Sequence, residues 1–266
     1  MGHERVGKLP RTQKWSAVID ALDDTIRNIG DDPIPTRDIA VLTLDAARSK
    51  IGEVQSDLGV VRSFQFLLLL AVAGQSDDPV KVLADEGVTI PEQISPITLA
   101  AALRAWLQPI RMTANPEYTT LARQATADTI AEWYRINTVG QRSLLNGDVD
   151  PFESWRKAGE GRGFSDLSRT FFSKFTARYL NYFLSRAASA TLSTTEQRDR
   201  FDEALDRHVD DIAQHAFETS KITQSYSAGW FNKNALHELP DQDRVTGFVS
   251  YAFSKIREEL RREGAA

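Results

Sequence analysis

At 266 residues the chain is long enough for one large domain or two modest ones, each able to bury a substantial core. A content of 41% hydrophobic and 26% charged residues excludes a disordered or membrane-spanning protein, and a formal charge of −5 argues against wholesale polyanion binding. The lack of cysteine removes disulfides, thiolate metal sites and a Cys nucleophile, and fits a reducing cytoplasm.

Taken in order, the chain shows a 3.6-residue apolar period almost throughout and no period-2 alternation. The expected fold class is therefore all-α, a bundle of about eight to ten helices. The start of the chain carries no apolar segment of the signal-peptide kind. Trp15, Val18, Ile19, Leu22 and Ile26 line one face of a first helix, and Thr36 caps a second carrying Ile39, Leu42 and Ala46. Ser56 or Asp57 caps a third that continues to Gly74 and is apolar on all sides. Its run from Phe64 to Ala73 falls well short of the roughly 20 residues a membrane span needs, so a buried core helix is expected.

A short helix near residues 79–86 and a Pro/Gly-rich passage (Gly87, Pro91, Pro96) follow, then a helix with Leu99, Leu103, Trp106 and Leu107 that stops at Pro109. Asn115 as cap and Pro116 at the first position open a long helix through Tyr118, Leu121, Ile130 and Trp133 towards Leu145. The stretch 146–151 is the clearest break. It is the expected boundary between an N-terminal layer, 1–147, and a C-terminal layer, 148–266. The acids Asp148, Asp150 and Glu153 there lack the EF-hand ligand ladder and read as an acidic turn.

Residues 155–189 concentrate rings and cations. Seven basic side chains stand against two acidic ones, a local excess in a chain of opposite sign. The loop Gly159-Glu-Gly-Arg-Gly163 leads to Ser165, expected to open an aromatic helix. Alternating glycines admit close backbone approach, and free amides at a helix start favour an anion. Arg156, Lys157, Arg162, Lys174 and Arg178, with Gly161, Gly163 and Ser165, form the candidate anion-binding set for nucleic acid, a phosphorylated ligand or an acidic protein surface. The competing account is a structural loop before a core helix. Leu167, Phe171, Phe175, Tyr179 and Tyr182 fall within ~120° of one another at about 100° per residue, which is a core stripe rather than a stacking platform.

Ser193-Thr-Thr-Glu196 has capping-box spacing for a helix that carries His208, Asp211, His215 and Glu218 on one stripe. His208, Asp211 and His215 could ligate a divalent metal, although both imidazoles lie at the edge of the buried face and no ExxH pattern accompanies them. Trp230 and Phe231, beside an expected helix end, either plug the core or anchor a partner. A final amphipathic helix carries Val245, Phe248, Ala252, Ile256 and Leu260.

No Gly-x-Ser-x-Gly elbow, Walker motif or dinucleotide fingerprint is present, and no cofactor is implied. The expected function is a non-enzymatic binding or accessory protein with a protein partner, self-association or nucleic acid as its target, and no membrane role. The alternatives are a metal-dependent enzyme using His208, Asp211 and His215, and an obligate subunit docked through the final helix. The ending Phe-Val-Ser-Tyr-Ala-Phe-Ser-Lys-Ile-Arg-Glu-Glu-Leu-Arg-Arg (248–262) resembles that of bacterial operon-encoded accessory proteins of the defence type, a resemblance that assigns no residue a role.

Overall fold

A computed structural model describes residues 17, 18, 20, 52–91, 94–110, 114–138, 151–191, 221–236 and 238–263. Of these residues 81% are helical and none is in a strand, so the protein is an all-α bundle. The helices are α1 (Leu58–Ala73), α2 (Pro79–Asp85), α3 (Pro96–Trp106), α4 (Pro116–Thr138), α5 (Glu153–Ala158), α6 (Gly161–Thr191), α7 (Lys221–Asn234) and α8 (Gln242–Glu263), with a 3₁₀ turn at Gln108–Ile110. None of the helices described is long and apolar enough to cross a membrane. The expected helix over 36–46, the capping box at 193–196 and the helix carrying His208, Asp211, His215 and Glu218 lie outside the described residues, as does most of the 146–151 break.

Contacts divide the chain into two compact units that interleave along the sequence, whereas the expected layers 1–147 and 148–266 follow chain order. One unit comprises residues 53–175 and 220–255, the other 1–52, 176–219 and 256–266. In the second unit Val18 and Ile256 are buried, and Tyr179 meets Phe183 edge-on at 4.9 Å.

The first unit is built around α1. Asp57 caps it, its carboxylate accepting from the amides of Gly59 and Val60 at 2.9 and 3.1 Å. From Val60 to Ala71 only Arg62 is not buried, which is what a helix apolar on all sides requires. Phe64 is the hub, its ring 5.2–6.1 Å from those of Phe248, Phe171, Phe172 and Phe164. Such offset and edge-on pairs add about 0.5–1.5 kcal/mol each beyond the area they bury.

The aromatic helix α6 buries more than the expected stripe. At 100° per residue its buried residues from Leu167 to Leu180 cover an arc of roughly 280°. By contrast α8 buries the narrow face of Val245, Phe248, Val249, Ala252, Phe253 and Ile256. In the first unit that face lies on rings of the same chain, Phe253 meeting Phe172 and Phe175 at 5.2 Å. The rings of α6 thus lie against α8 at Phe253.

Candidate binding surface at the α5–α6 corner

The run read as a glycine loop is shorter than its sequence suggests. Helix α5 ends at Ala158, Gly159 and Glu160 make the turn, and α6 begins at Gly161, four residues before Ser165. Phe164 donates to the Glu160 carbonyl at 2.8 Å, closing the first turn. Glycine is a poor helix former, but here its missing side chain makes room. A Cβ on Gly163 would stand 1.9 Å from the Lys157 carbonyl oxygen, and one on Gly161 would stand 3.1 Å from the Asn232 amide. Ser165 is 3% exposed and belongs to the interior of α6 instead of its opening turn. These two departures correct the expected anion loop: Gly163 spends its open side on α5, and Ser165 has no surface to offer.

Among the candidate cations, Arg156, Lys157 and Arg162 are exposed together at this corner. Arg156 and Lys157 fill the last turn of α5, where the macrodipole favours cations. Arg162 does the reverse: it occupies the positive end of a 31-residue helix that has no acidic residue in its first turn. Glu160, immediately before α6, is the acidic group of the turn and is itself exposed. Lys174 is paired with Glu132 at 3.3 Å and Arg169 with Asp166 at 3.6 Å. Arg178 is half-buried in the part of α6 that belongs to the second unit. Phe231 is fully buried and packs 4.6 Å from Phe164, the core-plug reading. Trp230, half-buried, stands 4.7 Å from Phe248. Both lie in α7 beside its end at Asn234, as expected.

Beside the corner is a cleft of about 530 Å³ that is not directly legible in the sequence. Its lining combines the start of α2 (Pro79, Val80), the passage after α2 (Ile90, Pro91, Ile94), Pro151, the α5 cap residue Phe152 and Arg156 of α5, with Ser76 and Asp77 as further polar groups. Three local devices set these walls. Asp78 caps α2 by accepting from the Lys81 amide at 3.0 Å. Gly87, at φ +77°, ends α2 in a Schellman turn, with Gly87 donating to Ala84 and Val88 to Leu83. The Gln75 side chain donates to the Arg156 carbonyl, tying the α1–α2 connection to α5. The signal that could have revealed the cleft is the cluster Gly87, Pro91 and Pro96, which turns the chain back across α2.

Elsewhere, burial and then the neighbouring carboxylates of Glu53 and Glu117 push the Tyr118 phenol up to about 12. Burial lowers the Arg62 guanidinium below its usual range against the pull of Glu86, and Arg62 stacks 3.8 Å over the Trp106 ring. Among the described residues no group of three or more His, Asp or Glu side chains could hold a metal ion. No protein-family model, curated protein or solved structure matches the chain.

Proposed function

We propose that this protein is a helical binding module, with no catalytic role of its own, that contacts an anionic partner at the α5–α6 corner. The observation that supports it is the joint exposure of Arg156, Lys157 and Arg162 on two helices whose backbones touch at Gly163. Placing Arg162 at the positive end of α6 costs about 0.3–1 kcal/mol in the free protein. A bound carboxylate or phosphate would reverse the sign of that term. Because the contact is electrostatic and exposed, it should weaken as salt screens it.

The test is a titration of a fluorescent acidic peptide and of single-stranded oligothymidylate at low and physiological salt. Charge reversal of Arg156, Lys157 and Arg162 to Glu should weaken binding of the preferred probe by at least about tenfold, or about 1.4 kcal/mol. Reversal of Arg169, already paired with Asp166, should change it little. Equal binding by the native and triply reversed proteins would overturn the proposal, as would failure of both probes to bind.

A further inference from the structure

We infer that the partner of this corner is a polypeptide, and that the cleft beside it takes an aliphatic or aromatic side chain flanked in that polypeptide by carboxylates. The inference rests on the corner being a binding surface and goes on to name what it binds. Its ground is that Arg156 belongs to both features: it is one of the three exposed cations and it lines the cleft, one helical turn from Phe152 on the same face of α5.

The chemistry of the walls selects the occupant. Pro79, Val80, Ile90, Pro91 and Ile94 present aliphatic surface, and Val80 is 52% exposed at the mouth. Among the described residues the one aromatic ring in the lining, Phe152, is 4% exposed, so they offer no open aromatic plane on which a nucleobase could stack. Its size, about 530 Å³, lies in the range of clefts that enclose small ligands and side-chain anchors. Charge complementarity fixes the flanks. Asp77 sits on the α1–α2 connection, across the cleft from the α5 cations, so the occupant's carboxylates belong on the Arg156, Lys157 and Arg162 side. The walls are joined at their base by the Gln75 bond to Arg156 and by the fit of Gly74 against the Trp155 carbonyl. The α1–α2 and α5 walls are therefore in place before the ligand arrives.

The experiment compares two short peptides of equal acidic charge, one with a central leucine and its twin with serine, alongside oligothymidylate. They are titrated against the full chain and against the double variant Val80→Asn, Ile94→Asn. Neither position is buried, and a thermal melt checks that the variant remains folded. The leucine peptide should bind about tenfold more tightly than its twin, and the double variant should abolish that difference while leaving the serine peptide unchanged. If the two peptides bind alike, or the variant leaves the preference intact, the cleft is not the anchor site and the inference falls. In that case continued sensitivity of both peptides to charge reversal at Arg156, Lys157 and Arg162 would leave the corner itself standing. Tighter binding of oligothymidylate than of either peptide would overturn the polypeptide assignment alone, and no binding of any probe would overturn both.

Discussion

A methyl group on Gly163 would meet the Lys157 carbonyl oxygen at 1.9 Å, and one on Gly74 would meet the Trp155 carbonyl carbon at 2.4 Å, both immovable backbone. Gly229 and Gly247 are the opposite case: they lie within α7 and α8, exposed, with nothing inside 4 Å of an added Cβ. The same residue type is thus structural at the first two positions and a cost at the last two. Gly163→Ala should destabilise the protein by about 1–3 kcal/mol through overpacking. Gly229→Ala or Gly247→Ala should stabilise it by about 0.5–1 kcal/mol by restricting the unfolded backbone. Urea midpoints of the three variants check both signs, and an unchanged midpoint for Gly163→Ala would refute the close approach. In the sequence the glycines at 159, 161 and 163 show only that a backbone can be approached. That the visitor at Gly163 is a carbonyl of the preceding helix depends on a turn of two residues, which no local pattern specifies.

At the scale of elements, one carboxylate organises two helix starts. Asp57 caps α1 through the Gly59 and Val60 amides and also accepts from the Asn115 amide at 2.8 Å. Asn115 in turn caps α4 through Glu117 and Tyr118. Two positive helix ends therefore converge on a single negative group. Asp57→Ala should cost about 2–3 kcal/mol, and Asp57→Asn, which keeps an acceptor but loses the charge, about half of that, both read from denaturant unfolding. Equal losses for the two variants would show that charge contributes nothing. Both helix starts were legible in the sequence, α4 at Asn115 and α1 at Ser56 or Asp57, because capping is a local pattern of one polar side chain and the next few amides. The start of α3 was not: Ser95 and Thr98 form a reciprocal box with Thr in place of the usual Glu or Gln, and Pro96, which looks like a breaker, occupies the first helical turn. The rings of α6 were legible as core except Tyr182, which is half-buried, and the stripe counted from five positions was too narrow, because Phe164, Ser168, Phe172 and Thr176 are also enclosed. Periodicity locates one face of a helix and does not say how many neighbours surround it.

At the scale of the molecule, the all-α class followed from period alone, whereas the partnership of distant segments did not. Nothing in the spacing of Phe64, Phe172 and Phe248 marks them as one cluster, and the cleft joins residues from 76 to 156 that only the fold brings together. A global property also follows from Tyr118, whose hydroxyl lies 3.5 Å from the Glu53 carboxylate. An unfolded tyrosine releases its proton near pH 10, while the folded one, pushed up to about 12, still holds it. Between those values the unfolded state binds fewer protons, so stability should fall as pH rises from about 10 to about 12. Tyr118→Phe should flatten that fall in a series of urea midpoints, and an identical alkaline slope in the two proteins would contradict it.

The ring cluster at Phe64 draws on residues made at widely separated times, since the unit that holds it combines 53–175 with 220–255. A ribosome adding about 5–20 residues per second delivers Phe64 and Phe172 several seconds before Phe248. During that interval the emerging polypeptide exposes apolar rings whose cover has not yet been translated. Holdase chaperones therefore have a defined target on the nascent chain, and a ribosome stalled before codon 242 would present it without relief.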